Sequence, residues 1–259
     1  MKQISIRIWL KENCFFLLSV FLSVCVLEYS YYMITVVEPR VGTDNIINGM
    51  LKCMGQSGEG WMGILYPLFA VLPFSMVYVR DYKSGYLGSL LIRQGKRKYY
   101  CEKIRKNFLG GGLALALPLL AFAFHLFIVL DVDAPLEDDN GYTPAHFLAG
   151  LAYENVYGYV AMMIVVAFFC GAAYAVFALG ISSWLKNGIL TLFLPFAGTI
   201  ILAFVMQGIE VLKPFDFLLL YNPSAGTLGN PVHVALIDMV LLVSGAALFL
   251  TGVGRCGEN

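Results

Sequence analysis

Three ionisable side chains lie within long apolar stretches of the sequence: Glu28, His125 and Asp238. An ionised side chain at the centre of a bilayer costs about 2.5–3.5 kcal/mol on insertion scales, so such residues usually serve a function. With a helical rise of about 1.5 Å per residue, they lie about 13, 8 and 9 Å from the same membrane surface. We therefore expect a polar cluster that lines a translocation path or binds a cationic group. The alternative is that each side chain reaches the membrane surface or bonds a neighbouring tyrosine.

Motifs of the common enzyme classes are not found in this sequence. It has no His-Glu-x-x-His, no Gly-x-Ser-x-Gly, no Cys-x-x-Cys and no Gly-x-x-x-x-Gly-Lys-Ser/Thr, the patterns that set up zinc, serine or nucleotide chemistry. We therefore predict no catalytic residue, no metal and no cofactor in the chain itself. An intramembrane enzyme is the alternative interpretation.

A short apolar face interrupts the most basic segment, residues 80–107, which contains nine of the 17 Lys and Arg residues. Leu87, Leu90 and Leu91 have the i, i+3, i+4 spacing of one helix face, and a glycine stands at either end of this stretch. A solvated loop gains nothing from three leucines on one face, so this pattern favours a docking surface for another protein. The alternative is a basic loop that contacts anionic lipid headgroups.

The elements that position these residues are long apolar blocks. The chain is 59% hydrophobic and only 13% charged, whereas a soluble domain has about 25% charged residues. Blocks of about 20 apolar residues predict membrane-spanning helices, because only a helix satisfies its own backbone hydrogen bonds in lipid. We therefore predict an all-α integral membrane protein, with a single transmembrane domain over residues 1–259. Its six spans are residues 14–37, 61–79, 108–130, 159–182, 188–209 and 232–253.

The Lys and Arg residues predict the orientation of these spans. Three precede residue 12 and nine fall in residues 80–107; with Lys186 and Arg255, one side of the membrane receives 14 of the 17. Cytoplasmic loops carry such an excess, so both termini are expected in the cytoplasm. Cys53 falls in an outer loop with no partner for a disulfide, and there is no Asn-x-Ser/Thr site, which fits a bacterial cytoplasmic membrane. The long apolar blocks exclude a nucleic-acid-binding module, and the formal charge of zero names no partner.

The whole chain resembles the permease subunits of type-2 ATP-binding-cassette (ABC) transporters, which are mostly bacterial exporters. The resemblance consists of the six-span plan, an interfacial helix at the N-terminus, the turn YNPSAG at residues 221–226 and the segment between spans 2 and 3. That segment has an acidic residue, a glycine and a run R-x-x-x-R-x-x-Y with a later lysine. The matching residues are Asp81, Gly85, Arg93, Arg97, Tyr100 and Lys103.

This resemblance implies that residues 80–107 contain a coupling helix, which docks into an ATP-binding subunit. It implies a second permease subunit, identical or not, that completes a dimeric pore, with ATP and Mg²⁺ bound by the partner. Export of a peptide, a drug or a lipid-like substrate is then expected. An Asp at position 81, where Glu is commoner, and an unusually acidic loop between spans 3 and 4 depart from the family pattern. A non-transporting accessory or immunity protein with the same architecture is a further alternative.

Overall fold

The protein is helical throughout the part of the chain that the structure, a computed structural model, describes: residues 6–37, 45–55, 60–130, 132, 147–223 and 230–255. The predicted all-α fold is confirmed. The α-helices are α1 (Ile6–Tyr32), α2 (Ile46–Cys53), α3 (Met62–Val71), α4 (Val77–Lys83), α5 (Leu87–Gln94), α6 (Lys96–Val129), α7 (Ala149–Glu154), α8 (Val156–Leu185), α9 (Gly188–Gln207) and α10 (Pro231–Arg255). A π-helix (Met33–Val37) extends α1, and two 3₁₀ helices (Glu210–Phe215, Phe217–Leu219) follow α9.

Five of these helices are long and apolar enough to cross a membrane: α1 with its π-helical extension, α6, α8, α9 and α10. The chain is therefore a multi-pass membrane protein. Helix α1 runs unbroken from Ile6, so the interfacial helix expected at the N-terminus is not a separate element. Helix α6 has 34 residues, more than the roughly 20 that a bilayer requires. We define its membrane-spanning part as residues 108–129, which leaves the basic residues 96–107 outside.

The second predicted span is divided, which corrects the prediction of one helix over residues 61–79. Helix α3 ends at Val71, residues 72–76 form a turn, and α4 begins at Val77. Pro73 lies in this turn; a proline has no N–H to donate, and its ring clashes with the preceding helical turn. A hydropathy pattern detects the apolar block but not this break.

Helix α8 lies between α6 and α10 and contacts both closely through glycines. A Cβ added to Gly111 of α6 would lie only 2.3 Å from the Cβ of Ala175, and one added to Gly180 would lie 2.4 Å from the carbonyl oxygen of Gly245 in α10. Small residues permit such close backbone approach between membrane helices. Positions 171 and 180, nine residues apart, face opposite sides of a helix, and Gly171 contacts α6. Helix α8 is therefore the central element of the bundle.

Two apolar clusters form the core of the bundle. The smaller one lies at the end that carries α4, α5 and the start of α6, which we call the basic end. At the opposite end, α2 is buried along almost its whole length, and the Asn222 side chain donates to the carbonyl oxygen of Leu51 at 2.8 Å. The Tyr221 ring stacks on Tyr66, with centroids 5.4 Å apart. The start of the YNPSAG turn is thus fixed inside the bundle.

Candidate functional site

Helix α5 at the basic end is bounded by two glycines in backbone conformations that other residues rarely adopt. Gly85 has φ of 70° and Gly95 has φ of 82°, a region that glycine enters without steric cost. Each glycine lets the chain turn sharply, first from α4 into α5 and then from α5 into α6. The helix predicted between these glycines is therefore confirmed as a structural element.

The leucine face of α5 points into this chain, which changes the surface expected from the sequence. Leu87 is buried, and Leu90 and Leu91 are half-buried against the cluster at the basic end. Burial stabilises such side chains by about 25 cal/mol per Å² of apolar surface removed from water. Here the residues that cover the leucines belong to the same chain. The cluster comprises Tyr78, Leu87, Tyr99, Leu179, Phe249 and Val253.

The opposite face of α5 is the one that a partner can reach. Ile92 is 89% exposed, and Ser89 is exposed beside it. Arg93 and Arg97 are also exposed. Neither arginine forms an ion pair with a described residue, so both guanidinium groups can take an acidic partner. Binding of an ATP-binding subunit to α5 stays a prediction, now placed on the Ile92 face.

Asp81 connects α4 to α6 across the base of this turn. Lys103 donates from Nζ to Asp81 Oδ2 at 2.6 Å, and the Tyr99 hydroxyl donates to the same oxygen at 3.1 Å. Burial and the adjacent Asp81 carboxylate raise the pKa of Tyr99, so its hydroxyl keeps its proton at neutral pH. Tyr100, the residue singled out by sequence, packs instead against Phe249 at 5.9 Å between centroids.

Glu28 and His125 form a hydrogen bond between α1 and α6. His125 Nδ1 lies 2.9 Å from Glu28 Oε1 and 2.8 Å from Glu28 Oε2. Both side chains are partly exposed, at 37% for His125 and 38% for Glu28. The Tyr31 ring packs edge-on to the imidazole at 5.6 Å. Two of the three intramembrane residues expected to cluster are therefore in contact.

Asp238 lies apart from that pair. It is on α10 and lines a cavity between α8 and α10 that neither Glu28 nor His125 lines. No hydrogen bond or ion pair joins it to them among the residues that the structure describes. The predicted cluster of three is thus a pair and a separate aspartate, because sequence spacing fixes the depth of a side chain but not the direction in which its helix faces.

A buried tyrosine network was not found by sequence reasoning. The Tyr66 hydroxyl on α3 donates to the carbonyl oxygen of Phe217 at 2.5 Å and lies 3.1 Å from the hydroxyl of Tyr174 on α8. The Thr199 hydroxyl on α9 lies 2.9 Å from the same Tyr174 hydroxyl oxygen. The sequence does contain an indication of this network: Tyr66 and Tyr174 each stand within an apolar block. A tyrosine hydroxyl that is buried there requires a hydrogen-bond partner.

No group of three His, Cys, Asp or Glu residues within the described ranges lies close enough to hold a metal ion. The chain matches no protein-family model, no curated protein and no solved structure.

Proposed function

We propose that this chain is the permease subunit of an ABC transporter, powered by a separate ATP-binding subunit. The observation that carries the proposal is the attachment of α5. Its leucines belong to one apolar cluster with side chains of α4, α6, α8 and α10, while its opposite face is exposed. A helix that served only to contact lipid would not require attachment to three long membrane helices. Force applied to the exposed face of α5 would reach the ends of α6, α8 and α10.

In this proposal the membrane is crossed six times. Helices α3 and α4 together form the second, discontinuous crossing, and both termini are cytoplasmic. Without a crossing by α3 and α4, the nine basic residues of segment 80–107 would lie across the membrane from the basic N-terminus. Such a split opposes the usual cytoplasmic excess of Lys and Arg. We assign the protein to the bacterial cytoplasmic membrane.

The partners follow from the same arrangement. The ATP-binding subunit supplies ATP and Mg²⁺ chemistry and docks at Ile92, with Arg93 and Arg97 available for its acidic residues. A second permease subunit completes the pore, and lipids cover the remaining apolar surface. This chain then has no catalytic role of its own, and its substrate is of the exported peptide, drug or lipid-like class.

The test is co-purification of the tagged chain from its native host in a mild detergent. We expect a protein with a nucleotide-binding motif to accompany it and to hydrolyse ATP. Ile92→Asp should reduce the amount of that protein about tenfold or more, because it places a charge in the apolar contact. Tyr153→Asp, at an exposed and largely apolar position on α7, is the control and should leave the amount of that protein unchanged.

Two results would contradict the proposal. One is that no nucleotide-binding protein accompanies the wild-type chain, which would favour an intramembrane enzyme or an accessory protein. The other is that Ile92→Asp retains its ATP-hydrolysing partner in full, which would remove α5 as the coupling helix.

A further inference from the structure

The cavity between α8 and α10 has a volume of about 430 Å³, within the range of roughly 300–1,000 Å³ typical of small-molecule sites. Its walls are almost wholly apolar. Met162, Val165 and Phe169 line it from α8, and Val234 and Met239 line it from α10. Phe147 and Leu148, which precede α7, also line it. The cavity can therefore accommodate an apolar molecular body.

Asp238 is the one ionisable residue among those that line this cavity. It is only 8% exposed, and its Oδ1 atom has no hydrogen-bond partner within the described part of the chain. A buried carboxylate without a partner costs several kcal/mol. The described groups that interact with it electrostatically, Tyr66, Cys170 and Tyr174, carry no positive charge.

The neighbouring stretches of sequence offer no permanent cation, and His146 is the one basic side chain in them. Residues 131–146 and 224–229, which adjoin the lining residues in the chain, contain no Lys or Arg. The first of these stretches contains five Asp and Glu residues. Asp238 therefore has no Lys or Arg partner within the described part of the chain, which leaves its carboxylate available to a cationic ligand.

We infer that the cavity binds a lipophilic amine, with the apolar body against α8 and α10 and the ammonium on the Asp238 carboxylate. An ammonium donates short, strong hydrogen bonds to a carboxylate, and the apolar walls gain by excluding water from the rest of the molecule. A neutral molecule of the same shape lacks the first interaction. This inference does not rest on the proposed transport function, because binding requires neither ATP nor a partner subunit.

The amine can come from two sources, a small soluble molecule or the headgroup of an amine-bearing lipid such as phosphatidylethanolamine. Both present the same ammonium on an apolar body.

The test uses the full chain in nanodiscs of phosphatidylcholine, which has no primary amine. Para-trifluoromethylbenzylamine is titrated and followed by fluorine NMR, with para-trifluoromethylbenzyl alcohol as the neutral control. We expect saturable binding of the amine and at least about tenfold weaker binding of the alcohol, the effect of a charge pair worth about 1.4 kcal/mol or more. Asp238→Asn should weaken the amine about tenfold and leave the alcohol unchanged.

Two further variants separate loss of the charge from loss of the fold. Ala235→Trp fills the cavity from α10 and keeps the aspartate, so it should weaken both probes. Glu28→Gln removes a carboxylate that does not line the cavity and should bind the amine as the wild type does. Equal affinity for amine and alcohol, or an unchanged amine affinity in both Asp238→Asn and Ala235→Trp, would overturn the inference.

A lipid arm identifies the source. Half of the phosphatidylcholine is replaced by phosphatidylethanolamine and the titration is repeated. Competition with the probe amine would support the site and assign it to the lipid headgroup. An unchanged titration would support the site and assign it to a soluble amine.

Discussion

Asp81 and Lys103 lie 22 residues apart in the chain, yet Lys103 Nζ is 2.6 Å from Asp81 Oδ2. The bond closes the segment that contains α5, and both side chains are largely buried. Asp81→Ala should lower the free energy of unfolding by about 1.5–3 kcal/mol, since it removes a hydrogen bond to a charged group and leaves the lysine without its partner. Thermal denaturation in detergent measures this change.

Two matched variants identify the source of that effect. Tyr99→Phe removes only the second, longer hydrogen bond to Asp81 and should cost less than Asp81→Ala. The exchange Asp81→Lys with Lys103→Asp should restore part of the stability lost in either single variant. If the exchanged protein is less stable than both, attraction between these two charges does not hold the segment.

The pair Glu28 and His125 is predicted to be energetically coupled. Their contact at 2.8 Å joins α1 to α6, so removal of either side chain should remove the same interaction. A double-mutant cycle with Glu28→Ala and His125→Ala should give a coupling free energy of about 1 kcal/mol, as for other polar contacts between membrane helices. Additive effects of the two substitutions would show that the contact contributes nothing to stability.

The tyrosine network predicts opposite results for two buried tyrosines. The Tyr66 hydroxyl donates to the Phe217 carbonyl oxygen, so Tyr66→Phe leaves a buried acceptor unpaired and should cost about 1–3 kcal/mol. The Tyr221 hydroxyl is equally buried but has no partner among the described residues. Tyr221→Phe is therefore expected to be neutral or slightly stabilising. Equal losses in thermal unfolding would mean that the hydroxyl of Tyr66 has no special role.

Two glycines in long helices test the packing of α8. A Cβ added to Gly171 would lie 2.4 Å from the carbonyl oxygen of Gly111, whereas one added to Gly198 meets nothing within 4 Å. Gly171→Ala should therefore destabilise the protein by about 1–3 kcal/mol through overpacking. Gly198→Ala should be neutral or stabilise it by up to about 1 kcal/mol through helix propensity. A similar unfolding temperature for both would contradict the close contact between α6 and α8.

The proposed topology can be tested with single cysteines and a membrane-impermeant maleimide. Cys53 was expected to report on an outer loop, but it is buried on α2, so it should not react. Trp61→Cys introduces a thiol where the native side chain is 58% exposed, and it should react in intact cells. Cys101, which is exposed on α6, should react only after permeabilisation. Reaction of Cys101 in intact cells would invert the orientation.

The length of the apolar blocks made much of the helical layout predictable. The predicted span 188–209 corresponds to α9, and the predicted span 159–182 to α8, which extends it by three residues at either end. Tyr100 and Ile104 lie on the same long helix as the third predicted span. These features depend on local composition, so the sequence contains them.

The direction in which each helix faces was not predictable. Leu90 and Leu91 pack against the cluster at the basic end and do not point outwards, and Asp238 lies apart from Glu28. Both outcomes depend on contacts with helices distant in sequence, and an apolar face by itself does not identify the surface that covers it. Pro73 by itself indicates a kink, but membrane helices often tolerate proline, so the sequence does not predict that the helix is broken there.

The position of α8 sets the order in which the protein can assemble during synthesis. Its contact with α6 forms from residues that have already left the ribosome, but its other face waits for α10, the last helix in the chain. Until then Gly180 lacks its neighbour Gly245, and the indole of Trp184 lacks the carbonyl oxygen of Leu248, to which it donates at 3.0 Å. A chain truncated before α10 therefore leaves one whole face of α8 uncovered in the bilayer, a feature by which membrane proteases could distinguish unfinished copies from finished ones.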